Sequence, residues 1–72
     1  MAQLTHEQYD ALERAIIDKR RIVVYRKGTE FIVTPERFRT IAGREVVDAA
    51  HPTTGEPISF YVDELDAIEV VT

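Results

Sequence analysis

The sequence predicts a mainly β domain, a small barrel of about five or six short antiparallel strands with one helix in front of them. Three observations predict it. Arg21 to Thr34 holds two runs rich in β-branched and aromatic side chains on either side of Lys27-Gly28, and a glycine in so short a connection supplies the positive φ that tight hairpin loops require. Short segments separated by turn residues then continue at near-even spacing, the pattern of a barrel or sandwich. Finally, the chain has 72 residues and no cysteine. It has no disulfide framework, and a barrel removes the exposed edges that so few residues could not otherwise protect.

The helix comes first, over about residues 5 to 19. Thr5 is a candidate N-cap with Gln8 three residues on, the capping-box spacing, and Leu4 and Tyr9 occupy the two positions of a hydrophobic staple. Tyr9, Leu12 and Ile16 make a narrow apolar stripe. Glu7 and Asp10 fall in the first turns and Lys19 and Arg20 in the last, as the macrodipole favours, and Asp10 and Arg14 form an i,i+4 pair. β-rich character begins at Arg21 with almost no linker, so the helix must pack beside the strand that follows it.

The strands lie within residues 21 to 71. With Lys27 and Gly28 as the loop, Val24 lies opposite Phe31 and Ile22 opposite Val33, so all four share one face and start a core. Val23 and Ile32 are left on the reverse face, which suggests a sheet that curls or is covered. Pro35 removes a ladder donor and marks a corner or an edge. Arg37 to Ile41 reads as a third strand with Phe38 on one face and Arg37 and Arg39 on the other, and Ala42-Gly43 turns the chain. In the fourth strand, Glu45 to Ala50, Val47 and Ala49 share one face, Val46 and Asp48 the other. Residues 51 to 57 contain two prolines and a glycine and form a loop. Ile58, Phe60 and Val62 then point inward, with Ser59 and Tyr61 outward. A tight turn through Asp63-Glu64-Leu65-Asp66 leads to a closing strand, Ala67 to Val71, with Ile68 and Val70 inward. The expected fold is a single SH3-like or Sm-like barrel capped by the helix.

The order of these elements resembles the WYL domain of bacterial regulators. The likeness runs through a helix ending in Ala15-Ile16, then Arg21-Ile22-Val23-Val24-Tyr25, Val33-Thr34-Pro35, Gly43-Arg44, and the segment from Phe60-Tyr61-Val62-Asp63-Glu64-Leu65 to Val70. It covers nearly the whole chain. The resemblance implies an SH3-like or Sm-like barrel acting as a regulatory domain that senses a ligand, often a nucleic acid or nucleotide. Where the family carries its Trp-Tyr-Leu signature, this chain has Glu45-Val46-Val47. The basic positions of the family's Phe-Arg-x-Asp-Arg-Ile segment fall on Tyr61 and Glu64, so an anionic ligand meets a phenol and a carboxylate instead of guanidinium groups.

Charge is divided along the sequence. Residues 1 to 13 carry Glu7, Asp10 and Glu13, net −3; residues 14 to 44 carry all nine Lys and Arg against Asp18, Glu30 and Glu36, net +6; residues 45 to 72 carry seven acids and no base, net −7. Strands distant in sequence interleave in a small barrel, so this division yields either one basic and one acidic surface or an averaged field. No apolar run approaches the roughly 20 residues that span a bilayer, and Met1 to Glu7 lacks the regions of a signal peptide. These features lead to the expectation of a cytoplasmic protein without membrane contact.

Few residues suggest catalysis. His6 and His51 have no partners at metal-ligand spacing, although Asp48 and His51 could share a corner. Ser59, on the outward face of a strand, lacks an activating turn. Asp63, Glu64 and Asp66 alternate with core residues in a tight connection and are read as turn-forming. Gly28, Gly43 and Gly55 are too far apart to cradle a phosphate. No cofactor, metal or enzymatic activity is expected. The candidate ligand-binding residues are Arg21, Tyr25, Arg26, Arg37, Arg39 and Tyr61, and the candidate protein contact is Val23, Ile32 and Val46. The expected function is a non-enzymatic regulatory or binding module, acting by protein contact or self-association, or on a small ligand. The alternative is a nucleic-acid-binding barrel using the basic residues between 19 and 44, less favoured because few aromatic side chains are interleaved among them.

Overall fold

A computed structural model describes residues 4 to 71; the extreme N-terminus read for a signal peptide, Met1 to Gln3, lies outside the described residues. Helix α1 runs over His6–Asp18, followed by strands β1 (Ile22–Arg26), β2 (Thr29–Ile41), β3 (Arg44–Ala50), β4 (Pro57–Tyr61) and β5 (Ala67–Val70), with a 3₁₀ turn, Val62–Glu64, between the last two. All pairings are antiparallel, and the strand order is β4-β3-β2-β1-β5.

The helix starts as its capping residues dictate. Gln8 N–H donates to Thr5 Oγ1 at 3.1 Å and Thr5 N–H to Gln8 Oε1 at 2.9 Å, which satisfies donors that the first turn would otherwise leave orphaned. Leu12 and Ala15 are its buried residues, flanked by the half-buried Tyr9 and Ile16. The helix stops one residue earlier than expected. Lys19 takes the left-handed conformation at φ 54°, and Arg20 N–H reaches back to Ala15 C=O at 2.9 Å. Lys19 and Arg20 therefore lie beyond the last turn, where Arg20 approaches Asp18 at 4.0 Å; Asp10 and Arg14 form no ion pair.

The first hairpin has the expected register, with Ile22 opposite Val33 and Val24 opposite Phe31. Both two-residue hairpin loops have positive φ throughout, at 50° and 79° in Lys27-Gly28 and at 50° and 78° in Ala42-Gly43. That is the signature of type I′ turns, whose twist matches the flanking strands. Pro35 does not separate two strands. It sits at a register shift between Pro35 and Arg37 inside the single long β2, and the extra residue bends the strand while keeping both Pro35 and Phe38 on the core side. The sheet thus has five strands, and β2 contributes to both of its halves. Pro57 opens β4 at the sheet edge, where its missing N–H is tolerated, and Val62 belongs to the 3₁₀ turn while remaining buried.

The core cluster joins Leu12 and Ala15 of the helix to Ile22, Val24, Val33, Val47, Ala49, Phe60, Val62, Leu65 and Ile68. Tyr9 stacks on Phe38 with ring centroids 5.7 Å apart, so the helix closes the concave side of the curled sheet. This packing leaves the convex face of the sheet to present side chains outward.

Candidate functional site

The bend at Pro35 divides the convex surface into two outward faces. The β2–β3–β4 face collects Arg37 and Arg39 from the second half of β2, Arg44, Val46 and Asp48 from β3, and Ser59 and Tyr61 from β4, because Arg37 pairs with Asp48 and Asp48 with Ser59, while Arg39 pairs with Val46 and Val46 with Tyr61. The β5–β1–β2 face carries Val23 and Tyr25 beside Ile32 and Glu30, with Glu69 next to Val23.

Asp48 organises the first of these faces. Its carboxylate accepts from Arg37 Nε at 2.9 Å, from Arg39 through Nε and, at 2.9 Å, through Nη2, and from Ser59 Oγ at 2.8 Å. The side chain is 14% exposed. Arg39 first, then Arg37, hold this carboxyl well below the usual range, against a smaller opposing effect of burial. Beside it, Arg44 donates to Asp63 at 3.0 and 2.7 Å, lies 3.7 Å from Glu64, and stacks with its guanidinium carbon 3.7 Å from the Tyr61 ring centroid. Asp63 is lowered by that pairing and Arg44 raised by it. Asp66 accepts the Lys27 N–H at 3.0 Å. Arg37, Arg39 and Arg44 of the middle of the sequence thus meet acids of its last third, and the charge division along the chain is cancelled in part across these strands.

Of the expected ligand-binding residues, the structure brings Arg37, Arg39 and Tyr61 onto one face. Tyr25 lies on the other face, where burial and then Glu69 and Glu30 raise its phenol, and Arg21 precedes the same strand. Arg26 sits apart at the end of β1, with its guanidinium carbon 5.1 Å from the Phe31 ring centroid and 5.4 Å from that of Phe60. The expected protein-contact set divides as well. Ile32 is 53% exposed and Val23 half-buried beside it, but Val46 lies on the Asp48 face and is only 3% exposed, among Arg39, Ile41 and Tyr61. The sheet bend separates Val46 from the other two. Asp48 does not pair with His51. Asp48 and Ser59, weighed from the sequence only as a partner of His51 and as an isolated serine, and Arg44 owe their roles to neighbours across the sheet; the β2–β3 register is the signal that reveals Asp48, since it lies opposite Arg37.

A shallow cleft of about 400 Å³ opens between the start of α1 and the β2–β3 turn, lined by Leu4, Tyr9, Gly43, Arg44, Glu45, Val62 and Asp63. Tyr9 Oη is buried there without a hydrogen-bond partner among the described residues. Burial foremost, then the adjacent Glu45 and Glu13, push its phenol up to about 12; the Glu45 carboxylate lies near it without closing a well-aligned hydrogen bond.

Fold and surface together define a helix-capped, five-stranded small β-barrel in which three arginines of β2 and β3 pair with carboxylates of neighbouring elements. No protein-family model and no curated protein matches the chain. Among solved structures it is similar to proteasome accessory factor B/C (PafBC) of Arthrobacter aurescens, with a TM-score of 0.73 and 20% identity over 97% of this chain. The chain spans 12% of the length of that one. The likeness is one of fold, and it agrees with the small, helix-capped barrel expected from the sequence.

Proposed function

We propose that the chain is a non-enzymatic, WYL-like binding module that acts through contact with another protein, a second copy or a regulator subunit. The observation that carries this reading is the apolar pair on the β5–β1–β2 face, where Ile32, 53% exposed, lies directly opposite the half-buried Val23 with Tyr25 on the same face. Exposed β-branched clusters on small domains tend to mark partner surfaces. The likeness to a unit that forms 12% of a longer chain agrees with a module that works joined to other parts.

The nucleic-acid alternative has less support. Phosphates bind guanidinium groups that are free to meet them, whereas Arg37 and Arg39 share one carboxylate and Arg44 holds another, in a chain of net charge −4. A small ligand is favoured by one specific observation, the partnerless Tyr9 Oη in the cleft.

The test is sedimentation equilibrium of wild type and Ile32→Lys, beside fluorescence anisotropy with single- and double-stranded oligonucleotides near 0.15 M salt. Ile32→Lys is expected to melt with wild type and to weaken the contact. A strongly destabilised Ile32→Lys with unchanged association would place Ile32 in the fold and remove the reading. An oligonucleotide Kd below about 1 μM would favour the nucleic-acid alternative.

A further inference from the structure

We infer that the open edge of β4 is a pairing site for a second copy of the chain, joined antiparallel about Ser59. This goes beyond the reading above and stands whether or not the Val23–Ile32 strip finds a partner. The barrel is not closed by hydrogen bonds, since β4 ends the strand order and its strand partner is β3. The opposite edge, β5, carries Glu69 and has the helix packed against it. Charge and cover of this kind are how monomeric proteins protect sheet edges. β4 reads Pro-Ile-Ser-Phe-Tyr, without a charged residue.

Backbone geometry decides what that edge can accept. His51 N–H donates to Glu56 C=O at 2.9 Å in the register of the β3–β4 ladder. Hydrogen-bonded pairs alternate along an antiparallel ladder, so Ile58 and Phe60 bond to β3, while Pro57, Ser59 and Tyr61 direct their backbone groups to the open edge. Two of these groups are missing or engaged. Pro57 has no N–H, and the C=O of Tyr61, the cap of the 3₁₀ turn, is taken by that turn. When a second copy is centred on Ser59, the Ser59 N–H and C=O of each chain meet those of the other, and each Tyr61 N–H meets the opposite Pro57 C=O. The missing Pro57 donor then falls opposite the engaged Tyr61 carbonyl. Every free group at the edge is matched by symmetry, which selects this chain itself over an arbitrary strand.

Side chains agree with that register. On the core side Ile58, which is half-buried, comes to lie beside Phe60 of the second copy, and on the outer side Pro57 meets Tyr61. A single edge pairing belongs to the small, transient class of interfaces. The concentration series must therefore extend to the millimolar range.

The experiment combines sedimentation equilibrium with residue-resolved amide exchange on the whole chain. Wild type is expected to dimerise reversibly, with the Ser59 and Tyr61 amides slowing as concentration rises, while Ile58 and Phe60 are protected throughout. Ser59→Lys places like charges opposite each other at the two-fold axis and should weaken the dimer at least tenfold. Ser59→Glu should do the same, and mixing the two variants should restore a one-to-one dimer. Rapid Ser59 exchange at every concentration, or a dimer equally tight in Ser59→Lys, would overturn the inference. The wild-type exchange measurement decides the matter even if the variants fold poorly. Loss of association in Ile32→Lys alone would assign the contact to the β5–β1–β2 face and not to this edge.

Discussion

Replacing Asp48 with alanine removes the one carboxylate that organises Arg37, Arg39 and Ser59. A hydrogen bond to a charged group contributes about 1.5 to 3 kcal/mol. Arg37 and Arg39 are 69% and 40% exposed, however, so water screens the attraction and rehydrates the guanidinium groups once they are released; exposed pairs contribute roughly 0 to 1 kcal/mol. For the cluster as a whole a loss of about 2 kcal/mol follows, and in a domain of this size it lowers Tm by about 8 to 16 °C. The pH dependence gives a second readout. Because the arginines depress the folded-state pKa of Asp48, its stabilising effect is complete above the unfolded value near 3.9 and is lost as pH falls toward the folded value. Thermal melts followed by circular dichroism should show the gap between wild type and Asp48→Ala at full size at neutral pH and narrowing below about pH 4. The variant should also be retained more strongly on an anionic column. A variant that melts within about 2 °C of wild type, with a gap independent of pH, would show that the arginine cluster is only a surface decoration.

Two further predictions concern the helix. Leu12 is 0% exposed, so Leu12→Ala should cost about 3 kcal/mol, while Ile17→Ala, at a position 78% exposed, should stay within about 0.5 kcal/mol; equal melting of the two variants would mean the helix is not docked. In a spectrophotometric titration, the Tyr9 phenol should ionise near 12 and be absent from the curve of Tyr9→Phe. Because the pKa is raised, the folded wild type should lose stability as pH rises from about 10 toward about 12, a loss that Tyr9→Phe should not show. Tyr9→Phe should keep the stack on Phe38 and melt at or above wild type, since it deletes a buried hydroxyl that has no partner.

The sequence by itself determined the local structure. Thr5 and Gln8 specify the helix start through a short-range hydrogen-bond exchange, and Lys27-Gly28 fixes the register that brings Ile22 to Val33, because a type I′ loop admits little else. The inward alternation of Ile58 and Phe60 was likewise legible, since strand side chains alternate with period two. Tertiary structure decided whatever depends on which strands become neighbours. Pro35 reads as a break in one dimension but acts as a bulge within a continuous strand, because the partner strand β3 accommodates the extra residue. That bend also separated Val46 from Val23 and Ile32. Charges separated in sequence came together as Arg39 with Asp48 and Arg44 with Asp63, so on the β2–β3–β4 face the basic and acidic segments of the sequence meet in pairs. Charge pairing acts over a few ångströms in space, and only the folded sheet sets which residues lie that close.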